Sequence, residues 1–283
     1  MKNLKIKQIY IPVIISGLLL LLASFYDYQL SNLLYSEGNV IARFFEAFGE
    51  AFGIIGPFAG AACIFASIEN QKKKWPTITL TILAMIFSLM TLYEPYQFLD
   101  GAMKYVGVLA ELICAILMFI YVYKNVDRSD SVKLKKIGTV IILTGIIGPI
   151  LVNIVKIPWG RPRYRSIIVT DGLEFQPWWV VGKELRTKFE GILEYEEFKS
   201  FPSGHSSVAV NSICLVLLST VVSSFNKKKM TIFAIVWTLS VMISRIVLGA
   251  HFLSDVVIGA LISYLTFLLL CKIFKISESE KIK

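Results

Sequence analysis

Ser244-Arg245-Ile246-Val247-Leu248-Gly249-Ala250-His251-Phe252-Leu253-Ser254-Asp255 joins two apolar runs, 231–248 and 254–271, and places an arginine, a histidine and an aspartate at their junction. Each run is long enough for a helix to cross a hydrocarbon core of ~30 Å at about 1.5 Å per residue. The chain therefore turns at a membrane boundary and keeps its ionisable groups there. On a helix His251 and Asp255, four residues apart, share a face. A carboxylate that accepts the imidazole Nδ1–H fixes the tautomer that leaves Nε2 free to react. Asp255 just inside an apolar run is costly without a partner, and a purely structural ion pair from Asp255 to Arg245 is the competing reading.

Working outward, six more apolar runs precede this pair: 10–26, 51–68, 76–92, 105–123, 135–155 and 205–222. With 55% hydrophobic and 17% charged residues and a mean hydropathy of +0.67, the chain reads as an all-α integral membrane protein of about eight transmembrane helices. The run 51–68 is the weakest, rich in Gly and Ala and carrying Pro57, but small residues suit closely packed membrane helices. Charge tests the count. Lys and Arg number 3 in 1–9, 3 in 69–75, 5 in 124–136, 3 in 223–230 and 4 in 272–283, whereas 27–50 and 93–104 hold only Arg43 and Lys104. The positive-inside rule then puts both termini in the cytoplasm and the long segment 156–204 outside. The N-terminal run has no convincing cleavage site after Ser24, which predicts a retained anchor.

The net charge of +9 is largely this topology signal, a cytoplasmic rim facing anionic lipid, and does not point to nucleic acid. Cys63, Cys114, Cys214 and Cys271 fall in or beside apolar runs and read as small packing residues, neither disulfide partners nor metal ligands. Segment 156–204 is interleaved with Trp159, Tyr164, Phe175, Trp178, Trp179, Phe189, Tyr195, Phe198 and Phe201, as suits a membrane–water interface. Gly182–Phe198 reads either as a surface amphipathic helix that guides a lipid sideways or as a simple hydrophilic cap.

Two further clusters flank this segment. Lys156-Ile157-Pro158-Trp159-Gly160-Arg161-Pro162-Arg163-Tyr164 follows the fifth run. Lys156 is expected to close that helix, because Pro158, Gly160 and Pro162 oppose its continuation, and the bend returns Arg163 beside Lys156. A lysine point charge and an arginine fork suit a phosphate dianion, although basic residues at a membrane boundary often only anchor a helix. Pro202-Ser203-Gly204-His205 precedes the sixth run. Ser203 is an expected N-cap, Gly204 permits close backbone approach, and a helix start offers amides to an anion. His205 and His251 are the only histidines in 283 residues, and both lie in these polar junctions. Glu111, about two turns inside the fourth run, is either a cavity-facing group or one that is protonated or paired between helices.

These residues resemble the type 2 phosphatidic acid phosphatase superfamily, whose core is shared with vanadium haloperoxidases and glucose-6-phosphatase. Its first motif, Lys, six residues, then Arg-Pro, is matched by Lys156 and Arg163 with Tyr164 in place of proline. Its second, Pro-Ser-Gly-His, is residues 202–205, and its third, Ser-Arg, five residues, His, three residues, Asp, is Ser244, Arg245, His251 and Asp255. The resemblance covers about 76–271. It implies a catalytic core over 76–283 with an extracytoplasmic active-site loop at 156–204, and makes 1–75 two additional N-terminal helices. It further implies His251 as a nucleophile forming a phosphohistidine, Asp255 as its orienting group and His205 as general acid and then base. Lys156, Arg163, Ser203, Gly204 and Arg245 are implied to hold phosphate, with Arg161 and Tyr164 as auxiliary candidates. No cofactor or metal is implied, in keeping with the lack of any cluster of metal-ligand spacing along the chain.

The activity so implied is hydrolysis of a lipid phosphomonoester or pyrophosphate, with undecaprenyl pyrophosphate, phosphatidylglycerol phosphate and phosphatidic acid as candidate substrates. A phosphotransferase using the same intermediate, or a non-catalytic or transport protein with a relict site, are the alternatives. A Lys- and Ile-rich chain with a retained anchor fits a bacterial plasma membrane, with a eukaryotic endomembrane as the other setting.

Overall fold

The computed structural model describes residues 6–69 and 74–276, with side chains described from Tyr10 onward. Lys2, Lys5, Lys72, Lys73, Lys281 and Lys283, part of the charge asymmetry above, lie outside the described residues. The helices are α1 (Ile6–Leu34), α2 (Val40–Phe48), α3 (Phe52–Ser67), α4 (Trp75–Ser88), α5 (Tyr93–Phe98), α6 (Met103–Asn125), α7 (Ser131–Trp159), α8 (Tyr164–Ile167), α9 (Lys183–Lys188), α10 (Gly204–Ala209), α11 (Cys214–Leu218), α12 (Lys227–Val247) and α13 (Leu253–Ile273). Short 3₁₀ turns link α4 to α5 and α10 to α11. Among the described residues no strand forms.

Among the described residues, seven helical segments are long and apolar enough to cross a membrane: Tyr10–Leu34, Val40–Ser67, Trp75–Phe98, Met103–Asn125, Ser131–Ile167, Lys227–Val247 and Leu253–Ile273. The sixth apolar run, 205–222, departs from expectation. It folds as the shorter Gly204–Leu218 element, with a 3₁₀ turn at Val210–Ile213 between two α pieces. Nearly every residue in it is buried against other helices, so its hydrophobicity matches protein and not the thickness of a bilayer.

Burial explains which runs look apolar and which look merely small. On α1 and α4, Ile11, Leu18, Phe25, Leu80, Leu83 and Ile86 stand exposed, an arrangement stable only against hydrocarbon. By contrast α3 is buried almost throughout, packed between α6 and α7, and Gly60 and Gly138 let the backbones of α3 and α7 meet. The Gly- and Ala-rich run that looked weakest is therefore the central helix of the bundle. The main core gathers Phe52, Ala59, Cys63, Val122, Leu134, Ile141, Leu218 and Phe267. Cys63, Cys214 and Cys271 are buried free thiols and Cys114 faces outward.

On α1 the buried stripe is Ala23, Asp27 and Ser31, four residues apart, and it packs on α13. Close to Asp27, α7 does not stop at Lys156. It runs through Pro158, in its last turn, to Trp159, and ends at Gly160 with a left-handed φ of 68°. Lys156 thus projects from a formed helix turn. Segment 160–203 is a folded cap: Gly182–Phe198 contains the six-residue α9 and a 3₁₀ turn at Tyr195–Phe198, not one continuous amphipathic helix. Leu173, Phe189 and Phe198 give the cap a small core of its own.

Candidate active site

His251 sits between α12 and α13, 2% exposed. The end of α12 wraps back on itself, and the N–H groups of Ala250 and His251 both donate to the Arg245 carbonyl at 3.1 and 3.2 Å. This couples the arginine and the histidine of one motif through backbone. His251 Nδ1 is 2.5 Å from the carbonyl oxygen of Ser200. A carbonyl can only accept, so Nδ1 carries the proton and Nε2 is left without one.

Asp255 does not hold that nitrogen directly. Its Oδ2 is 3.8 Å from Nδ1, beyond hydrogen-bond range. The carboxylate accepts instead from the Phe252 N–H at 2.8 Å, the Ser200 hydroxyl at 2.5 Å and the Arg161 guanidinium. Asp255 therefore reaches His251 through Ser200, whose hydroxyl it binds and whose carbonyl faces the imidazole. Nor is Arg245 the partner of Asp255, since Arg245 pairs with Glu46 at 3.0 Å.

Arg161 is wholly buried. It binds Asp27 of α1 at 3.0 Å, Ser254 at 2.8 Å, the Gln176 carbonyl at 2.8 Å and Asp255, and lies 4.2 Å over the Phe252 ring. Asp27 also accepts from the Ser254 N–H at 3.0 Å. With each of its three guanidinium nitrogens bound to protein, Arg161 ties α1, the cap and α13 together under the site. Tyr164 is likewise turned away from the reacting face. Its hydroxyl donates to Asn32 at 2.8 Å, and its ring packs on Tyr28, Tyr35 and Phe252.

The remaining cations face His251. Arg163 has Glu197 and Glu196 only at 3.7 and 3.9 Å, and its Nε has no hydrogen-bond partner. Arg245 has Glu46 on one nitrogen and no partner on its Nε. Nothing larger than hydrogen at residue 204 separates Lys156 from the His205 turn, because a Cβ on Gly204 would stand 3.5 Å from Lys156 Nζ. Burial, then the charges of Lys156, Arg245 and Arg163, hold the His251 imidazole well below its usual pKa, so it is neutral. Glu197 goes the other way. Burial would raise its carboxyl, but the Arg165 hydrogen bond at 2.5 Å and the Arg163 charge outweigh it and keep it below the usual range.

Ser203 caps α10 as the sequence predicts, accepting from the Ser206 N–H at 3.3 Å. The second and third motifs meet here. The Ser203 N–H donates to the Asp255 carbonyl at 3.0 Å, and Gly259, one turn further along α13, lies against the Ser203 backbone where a Cβ would collide with its carbonyl. His205 is 8% exposed and has a carboxylate at each ring nitrogen: Glu50 at 3.2 Å from Nδ1 and Glu94 at 3.3 Å from Nε2. The Glu46 carbonyl is 3.1 Å from Nε2 as well.

Asp27, Glu46, Glu50, Glu94 and Ser200 are all missed by motif reading. Three of the acidic four, Asp27, Glu50 and Glu94, carried one usable signal: each lies within two residues of an apolar run, where a charge needs a partner. Glu111 is buried, and among the described residues neither of its oxygens has a hydrogen-bond partner. Glu50, Glu94 and His205 also form a set whose ligand atoms all lie within 4.8 Å of one another, which local spacing could not reveal. A separate cavity of about 630 Å³ opens between α1 and segment 167–175, lined by Asp27, Tyr28 and Asp171 and away from His251.

No curated protein and no solved structure matches the chain. The sequence model of the PAP2 superfamily does, over residues 133–278, from the first turn of α7 past the end of α13. That match begins well inside the 76–271 covered by the motif resemblance, yet it contains all three motifs and more than half of the 283 residues. The chain belongs to the PAP2 superfamily, and is an all-helical integral membrane member of it.

Proposed function

We propose that this protein is a lipid phosphatase that hydrolyses a phosphomonoester or pyrophosphate through a phosphohistidine at His251. The observation that carries the reading is the His251 tautomer: Nδ1–H is committed to the Ser200 carbonyl, leaving an unprotonated Nε2 among Lys156, Arg163 and Arg245. A neutral imidazole nitrogen held beside three cations is a nucleophile placed where phosphoryl oxygens are attracted.

In the first step Nε2 attacks phosphorus as the bond to the lipid oxygen breaks, and His205 donates a proton to that leaving oxygen. In the second, His205 takes a proton from water, the hydroxide attacks phosphorus, and the P–N bond breaks to return His251 and release phosphate. Lys156, Arg163 and the unpartnered Nε of Arg245 offset charge on the equatorial oxygens in both transition states. Ser203 and Gly204 shape the backbone beside them. No step uses a metal. Asp255 and Arg161 act as positioning residues, through Ser200 and through the anchorage of α1 and α13.

The charge asymmetry supports cytoplasmic termini and an extracytoplasmic site, and the composition supports a bacterial plasma membrane. A substrate with its phosphate at the interface and its tails in the bilayer fits a site at helix ends, so undecaprenyl pyrophosphate, phosphatidylglycerol phosphate and phosphatidic acid are the substrates to try. Rapid quenching with ³²P-labelled substrate tests the intermediate. Acid-labile, base-stable label on the wild type and none on His251→Ala supports it, and equal label on both removes it.

A further inference from the structure

The phosphate-facing cations are only half of the charged interior. Beside them at His205, Glu50 from the α2–α3 junction and Glu94 from α5 approach its two ring nitrogens. Glu111 of α6 stands behind them. It shares a helix face with Gly107 and Ala115. Gly107 lies against Pro95 and Phe48, the neighbours of Glu94 and Glu50, and Ala115 packs on Ile54 and Phe58 of α3. Glu111 is 4% exposed, neither of its oxygens has a hydrogen-bond partner, and the charged groups facing it are Glu50 and Glu94. Glu50 and Glu94 also feel the charges of Lys156 and Arg245, whereas Glu111 faces carboxylates alone.

Two carboxylates at one buried imidazole, with the unpartnered carboxyl of Glu111 beside them, make a set that a cation completes, because a buried polar group without a partner is costly. The ligand atoms of Glu50, Glu94 and His205 lie within 4.8 Å of one another. Opposite ligands around a metal with ~2.1 Å bonds are about 4.2 Å apart, so small side-chain rotations close the set. One nitrogen and two carboxylate oxygens suit a Mn²⁺- or Zn²⁺-class ion. We propose that Glu50, Glu94 and His205, with Glu111 as the outer acidic group, form an inhibitory divalent-cation site. The inhibition rests on the role given to His205 above, because an imidazole nitrogen bound to a metal has no proton to give the leaving group. The binding itself does not rest on it.

The test is Mn²⁺ binding by electron paramagnetic resonance on EDTA-stripped, desalted protein in detergent. Wild type and His251→Ala are expected to bind one ion per chain, and Glu94→Gln and the isosteric Glu111→Gln to weaken binding by about tenfold or more. Mn²⁺ should also raise the unfolding temperature of the wild type but not of Glu94→Gln, which guards against a variant that merely folds poorly. Absence of stoichiometric binding to the wild type, or equal binding by the Glu50→Gln/Glu94→Gln double variant, overturns the site. Stoichiometric binding with full hydrolysis at saturating Mn²⁺ overturns the inhibition. Binding by a protein that hydrolyses no lipid phosphate supports the site and removes the phosphatase reading instead.

Discussion

The His251 Nδ1–H points at the backbone carbonyl of Ser200, 2.5 Å away. The tautomer of the His251 imidazole is therefore set by a main-chain group, and Asp255, 3.8 Å from Nδ1, binds the Ser200 hydroxyl instead. Ser200→Ala keeps the carbonyl and removes only that hydroxyl. Activity should fall by about tenfold, as for other outer hydrogen-bond partners, without being abolished. A loss as complete as that of His251→Ala would show that Ser200 takes a more direct part. Steady-state rates of the two variants decide the matter.

Asp27 is the partner of Arg161 furthest away in sequence, and both are buried. Asp27→Ala leaves a guanidinium with one carboxylate fewer and should destabilise the fold by about 3–5 kcal/mol. Thermal unfolding in detergent reads this directly. An unchanged unfolding temperature would mean that α1 is not anchored through this pair.

Gly259→Ala puts a methyl group into the Ser203 carbonyl and should part α13 from the Pro202–His205 turn. We expect a loss of about 1–3 kcal/mol together with most of the activity. Gly17→Ala, on a lipid-facing stretch of α1 with nothing within 4 Å of the added carbon, should change stability by no more than about 0.5 kcal/mol. Comparing the two separates close packing from helix propensity.

Neutral, buried His251 makes stability pH-dependent with a definite sign. The unfolded chain protonates this residue near its usual value of about 6.5, whereas the folded protein resists protonation until the pH is well below that. The unfolded state thus binds more protons as the pH drops below about 6.5, and stability falls by up to about 1.4 kcal/mol per pH unit. Above about pH 6.5 the residue contributes no slope. His251→Asn, which retains a donor for the Ser200 carbonyl but does not titrate, should flatten the unfolding-temperature profile between about pH 5 and 6.5. Superimposable profiles would contradict a neutral, buried His251.

The candidate site residues stood out in the sequence because Lys156, His205, Arg245 and His251 lie at the ends of apolar runs, where an ionisable side chain is costly. Their supports did not. A backbone carbonyl such as that of Ser200 leaves no mark on the sequence. Arg161 reads as one more basic residue at a membrane edge until the fold brings Asp27 to it. Glu50 and Glu94 lie just outside the most apolar windows, in stretches that read as outer loops. Only the helices Val40–Ser67 and Trp75–Phe98 carry them inward to His205. Likewise 205–222 looks like a spanning helix because hydrophobicity alone does not distinguish burial in protein from burial in lipid.

Phosphate release by the purified protein in detergent with EDTA, wild type against His251→Ala, tests the central claim most directly. Phosphatidic acid, phosphatidylglycerol phosphate and undecaprenyl pyrophosphate form the panel. Release from at least one of them by the wild type, undiminished by EDTA, is expected, with none by His251→Ala in a protein that still elutes as a folded species. Equal release by the two proteins, or release that EDTA abolishes, would contradict that claim.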